Sequence, residues 1–87
     1  MISMKIFFVD YDLRKEKDYK TLTDELVRLG GIRVLKSLWS LKLADTNTCA
    51  IVRDHLKKFM DKDDGIIVSE VIEYAYSYVD KAPHKFQ

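Results

Sequence analysis

Asp10 and Asp12 stand where the most hydrophobic segment of the chain gives way to a run of charges, in the stretch KIFFVDYDLRKEK. A carboxylate at the rim of a sheet suits a hard cation such as Mg2+, which takes one or two protein carboxylates and fills its shell with water and phosphate oxygens. The same residue has a plainer use, because an Asp side chain readily caps a turn. One or two carboxylates per chain make a poor metal site, whereas a two-fold dimer brings a copy of each together. Asp12 is therefore a candidate ligand whose competence depends on a partner.

The positive charges Arg14, Lys15, Lys17, Lys20, Arg33, Lys36 and Lys42 follow Asp12 within the first half of the chain. Converging in space, they would form a strip for a phosphate backbone; scattered, they only solvate the surface. Ser37 has no histidine near it in sequence to act as base, so a nucleophilic serine is not expected. His55 falls at the border of an apolar helical stripe, where a half-buried structural histidine is the ordinary reading. Cys49 sits in the first turn of the same helix, where the dipole lowers a thiol pKa, but on its apolar side, which favours packing. His84 belongs to the terminal tail and is expected to be mobile. Trp39 reads as core or dimer interface before it reads as a base-stacking platform. A glycine-rich phosphate loop, a zinc-ligand cluster and a glycosidase-type acid pair are all missing, so those classes drop out.

The elements that must position these residues follow from periodicity. KIFFVDY, residues 5 to 11, is aromatic and β-branched and reads as a strand covered on both faces or sitting centrally in a sheet. Tyr19, Leu22, Leu26 and Leu29 recur at helical spacing from Asp18 onward, and Gly30 and Gly31 stop that helix. IRVLKSLWSLKLA alternates with period two, placing Leu35, Ser37, Trp39, Leu41 and Leu43 on one face and Lys36, Leu38, Ser40 and Lys42 on the other. Its length predicts a break near Ser37 into two antiparallel arms. DTNT offers caps for a second helix, whose stripe is Thr48, Val52, His55, Leu56, Phe59 and Met60. DKDDG makes a polar turn before a strand over 66 to 71. Strand, helix, strand, strand, helix, strand is the ferredoxin-like βαββαβ order, an α+β fold with an antiparallel sheet and both helices on one face. In the tail, Tyr74, Tyr76 and Tyr78 alternate as in a strand while Val71, Tyr74, Ala75, Tyr78 and Val79 also fit a helix; β-propensity favours an extra C-terminal strand, paired with a partner's sheet edge.

At 87 residues the chain is one domain, taken as residues 1–80 with a flexible tail over 81–87. Hydrophobic residues at 47% and charged residues at 33% exclude disorder and fibrous repeats. A core this small gains stability by burying a face against a copy of itself, so a homodimer is expected. A formal net charge of +1 argues against a surface wholly given to nucleic acid. Cys49, the single cysteine, excludes an internal disulfide, and no signal-like segment precedes Lys5, so a cytoplasmic location is expected. No apolar stretch approaches the roughly 20 residues of a membrane span, so no membrane partner is expected. The start MISMK is read as a cloning scar before a native Met4.

VDYDL closing the first strand, then LVRLGGIRVLKSLWSL and the Asp-rich turn before GIIVSEV, resemble the small CRISPR-associated proteins of the Cas two family and their short relatives, which include VapD-type toxins. The resemblance covers almost the whole chain and rests on order and spacing. It implies a ferredoxin-like homodimer whose last strand pairs onto the partner. It also implies that Asp12 meets its symmetry mate across a cleft where Mg2+ binds and a phosphodiester is hydrolysed, with Ser37 in support and Arg14, Lys15 and Lys36 on the backbone of RNA or DNA. Some members of the family are nucleases in antiviral defence; others only hold DNA beside an integrase-like partner. Tyr19, Lys20 and Thr21 replace arginines frequent in the family's first helix, and Trp39 replaces its usual Phe, which weakens the expected grip on nucleic acid. Two functions follow, a Mg2+-dependent endonuclease or a non-catalytic binding dimer, in a CRISPR locus or standing alone. A nucleotide-binding relative of the same fold is a third.

Overall fold

The computed structural model describes residues 3–15 and 19–86. It contains β1 (Met4–Asp12), α1 (Lys20–Arg28), β2 (Ile32–Leu35), β3 (Leu38–Ala44), α2 (Cys49–Lys57) and β4 (Gly65–Val71). The strands form one antiparallel sheet in the order β2-β3-β1-β4. Four antiparallel strands with two helices in this order are compatible with a ferredoxin-like fold. Lys17 and the expected helix start at Asp18 lie outside the described residues.

The sheet's two faces are set by alternation along β1. Phe7, Val9 and Tyr11 point to the helices and pack with Trp39 and Leu41 of β3, Leu22 and Leu26 of α1, and Val52 and Leu56 of α2. Register places Phe7 opposite Leu41 and Val9 opposite Trp39, so one face of the central strand pair supplies most of the core. The other face carries Ile6, Phe8, Asp10 and Asp12, with Leu38, Ser40 and Lys42 across from the first three. Ile6 is buried there and Phe8 is half-buried, which is why this strand shows no polar alternate over its first half.

The glycine stop of α1 forms as the pattern predicts. Gly30 takes φ +77°, its N–H donates to the Val27 carbonyl at 2.9 Å, and the Gly31 N–H donates to the Leu26 carbonyl at 2.8 Å. Paired bonds of this kind satisfy the helix's last carbonyls and need a left-handed residue, which glycine supplies without strain. Gly31 is required for a different reason: a Cβ there would fall 2.6 Å from the Leu26 carbonyl oxygen and 3.1 Å from the Trp39 ring. At the start of α2 the Thr48 side chain accepts from the Ile51 N–H at 3.2 Å, the expected cap.

The break near Ser37 is also present, as a two-residue turn at Lys36 and Ser37. One assignment around it changes. Leu35, expected to share a face with Trp39, instead lines an apolar pocket with Phe8 and Leu38 on the opposite side of the sheet. An irregularity in pairing between Arg33 and Leu35 puts the alternation out of phase.

The tail departs further from expectation. Residues 72–86 form neither strand nor helix, so the extra C-terminal strand is not made within the chain. They fold back across the sheet face opposite the helices: Tyr74 packs its ring on Phe8 with centroids 5.7 Å apart, and Phe86 stacks on Tyr74 at 5.6 Å. The Asp80 N–H donates to the Val34 carbonyl at 2.9 Å, a single backbone bond to the β2 edge. Tyr78 turns the tail with φ +59°, a left-handed residue that a continuous strand cannot contain. The end of the chain, expected as a loose tail with a mobile His84, lies against the sheet through His84 and Lys85.

Candidate functional site

Asp12 closes β1 opposite Gly65, with its side chain 77% exposed. The nearest opposite charge is the Arg14 Nε, 3.6 Å from its carboxylate. Arg14 is held from behind: its backbone N–H donates to Asp64 Oδ1 at 2.8 Å and its Nη1 to the Asp63 carbonyl at 2.7 Å. Asp64 is buried, and its second oxygen accepts the Asp61 N–H at 2.9 Å. The polar turn read from DKDDG is thus a clamp fastening the exit of β1 to the entry of β4. Any Cβ at Gly65 would press to 3.2 Å from Arg14 Nη2, so the glycine leaves room for that guanidinium beside Asp12.

Asp10, one pleat earlier on the same face, accepts a hydrogen bond from Ser37 Oγ at 3.3 Å. Ser37 therefore supports Asp10 and has no bond to Asp12. Lys36 occupies the same turn, where its carbonyl accepts from Arg33 Nε and Nη2 at 2.9 and 2.6 Å. Asp10, Tyr11, Asp12, Arg14, Gly65 and Ile67 line a shallow cleft of about 230 Å3. The sheet thus brings Asp10, Asp12, Arg14 and Ser37 to one end of one face, with Lys36 beside them.

The remaining cations do not form one strip. Lys15 turns away to Asp61 at 3.3 Å and Lys20 pairs with Asp24 at 2.7 Å. Both line an open hollow of about 690 Å3 between the start of α1 and the end of α2, with Lys58, Tyr19 and Phe59. Arg33 lies over the Trp39 ring at 5.5 Å, and Lys42 donates to the Lys85 carbonyl at 2.9 Å. Trp39 is buried and its Nε1 donates to the Tyr11 hydroxyl at 3.2 Å, which settles its core role.

Asp10 and Asp12 offer hard oxygen donors of the type Mg2+ selects. Among the described residues no group of three or more His, Cys, Asp or Glu side chains is arranged to hold a metal ion. One chain therefore brings two carboxylates and a neighbouring guanidinium to this end of the sheet. Cys49 packs against the core.

Two polar clusters were not read from the sequence as units. In the first, Glu25 of α1 is buried at 7% exposure and accepts from Arg28 Nε and Nη2 at 2.7 and 2.6 Å and from His55 Nε2 of α2 at 2.5 Å. Arg28 and then His55, by hydrogen bonding, hold the Glu25 carboxyl down to about pKa 2 against the opposing effect of burial. The spacing of Glu25 and Arg28 was the one local signal for it. In the second, Ser40 of β3, fully buried, lies 2.7 Å from His84 Nδ1. These residues are 44 positions apart, and nothing local pairs them.

The fold and this site together define a small α+β protein with a four-stranded antiparallel sheet, two helices on one face and an acidic cleft at the end of its central strand. No family model matches the chain, and no solved structure matches it. Among the described residues no helix is long and apolar enough to cross a membrane.

Proposed function

We propose that the chain works as a two-fold homodimer of the Cas two-like type that cleaves a phosphodiester in RNA or DNA at the Asp12 end of its sheet. The observation that supports this reading is the exposed Asp12, held on a rigid central strand beside Arg14 with Asp10 one pleat away. A two-fold axis at this end doubles the carboxylates available to a metal. Mg2+ bound there would activate water and offset charge growing on the phosphate. Asp12 and Asp10 would hold the ion, Ser37 would orient Asp10, and Arg14 would release Asp12 to take a phosphate oxygen. Lys36 would add charge along the backbone, and Lys15 would do so only after leaving Asp61.

The second reading is a non-catalytic dimer that binds nucleic acid or an integrase-like protein partner. The contact between Arg14 and Asp12 favours it, because a cation already beside the carboxylate competes with a metal. Pure protein incubated with labelled RNA and duplex DNA, with and without Mg2+, separates the two. The nuclease reading predicts Mg2+-dependent cleavage that Asp12→Ala abolishes; cleavage surviving that substitution removes Asp12 from the chemistry. The binding reading predicts no cleavage, binding unchanged in Asp12→Ala, and loss of binding or of the dimer on deletion after Ile72.

A further inference from the structure

We propose that residues 73–86 form a pH-sensitive strap across the open sheet face, latched by a neutral His84 wedged between Ser40 and Gly30 and released when the imidazole takes a second proton. The latch is specified at both ring nitrogens. His84 Nε2 lies 3.1 Å from the Gly30 carbonyl, which can only accept, so Nε2 carries the proton. Nδ1 then accepts from the Ser40 hydroxyl at 2.7 Å, and the Ser40 oxygen in turn accepts the His84 backbone N–H at 3.1 Å. Every hydrogen of this small ring of bonds has a place only while the imidazole is neutral.

A proton on Nδ1 points at a hydroxyl whose own hydrogen must find another acceptor, and Ser40 is fully buried. The charges around the ring do not welcome it. From β3 the charged group is Lys42, whose ammonium donates to the neighbouring Lys85 carbonyl and disfavours a second cation. The turn after α1 presents the Gly30 carbonyl, and the tail presents the Tyr74 hydroxyl, which donates to the His84 carbonyl at 2.6 Å. Burial, and then the Lys42 charge, hold the His84 pKa below its usual value despite the Gly30 bond. A histidine whose folded pKa is depressed contributes stability above its unfolded pKa, and that stability is lost as pH falls from there toward the folded value. Because His84 bonds the tail to the body, the lost stability is that of the strap. Release uncovers Phe8, Leu35 and Leu38, which now line an apolar pocket of about 250 Å3 with the tail.

Amide hydrogen exchange on the full chain between pH 8 and pH 5, corrected for intrinsic rates, tests the latch at the Asp80 and His84 amides. Protection there should fall as pH drops below about 6.5, by at most about tenfold per pH unit and levelling off below the folded His84 pKa, while amides of β1 and β3 keep theirs. The His84 ring signal in NMR should titrate over the same range. His84→Gln cannot take the proton, so its tail should show the same protection at pH 8 and pH 5. A tail already open at pH 8 in that variant, with a closed wild type, equally assigns the latch to His84. Constant protection in the wild type, or the same pH-dependent loss in His84→Gln, overturns the proposal. Ser40→Ala checks it from the other side: tail protection at pH 8 should drop, and unchanged protection overturns the Ser40 bond as part of the latch.

Discussion

Glu25 and Asp12 are both carboxylates on regular elements of one small domain, and their surroundings are opposite. Glu25 lies between the two helices, buried, with Arg28 in a two-pronged grip and His55 on the same oxygen. Asp12 lies at a strand end in water, with one guanidinium at 3.6 Å. A carboxylate whose lone pairs are taken by fixed donors is committed to holding the fold. One left mostly open retains the capacity to bind something that arrives. The contrast gives Glu25 a structural role and leaves Asp12 as the carboxylate open to a ligand, and of the two only Asp12 stood out in the sequence.

The largest expected effect is at Glu25. Glu25→Ala leaves Arg28 and His55 without their acceptor in a semi-enclosed helix interface, and a loss of about 2 kcal/mol is expected, on the scale of hydrogen bonds to charged groups. For a domain of this size that is a fall in Tm on the order of 10 °C by circular dichroism; an unchanged Tm would end the structural assignment. Acid titration sharpens the same point. Glu25 has a folded pKa of about 2, below the ordinary carboxylate value, so its contribution is complete above about pH 4.5 and is lost as pH falls toward 2. The Glu25→Gln protein should start less stable at pH 7 and show a shallower loss of Tm across that window.

Next comes Asp64, the buried clamp behind Arg14. Asp64→Ala strands the Arg14 and Asp61 N–H groups and should cost about 1–2 kcal/mol by urea unfolding. It should also free the Arg14 segment, so any nucleic-acid affinity falls with it. The smallest stability effect is at Asp12: Asp12→Ala should stay within about 0.5 kcal/mol of the parent, as exposed substitutions do. A large destabilisation there would erase the contrast by making Asp12 structural as well.

Much of the architecture was legible because it rests on local rules. The period of two through Trp39 and Leu41, the helical recurrence of Leu22 and Leu26, the Thr48 cap and the Gly30 stop each depend on residues close in sequence. Leu35 was misplaced because an irregularity of pairing is set between strands and leaves no mark in a single strand's alternation. The tail was misread because Tyr and Val propensity favours a strand, whereas Tyr74 and Phe86 are held by aromatic contacts with a sheet face assembled from distant segments. At the candidate site, Asp12 at the strand end was legible from the apolar run before it. That Ser37 would serve Asp10, and that Lys15 would turn to Asp61, depended on where two turns meet in space.

The single bond from Asp80 to the Val34 carbonyl bears on how copies of this chain can add to one another. A sheet with two bare rims can extend from both and grow into a filament, each copy offering one rim and accepting on the other. Here the tail lies along the β2 rim, while β4 pairs only with β1 among the described residues. A strand approaching β2 meets the tail at Val34, whereas β4 has no second strand beside it among the described residues. A homodimer of the proposed kind, joined through two β4 rims, would use up both and could not grow further.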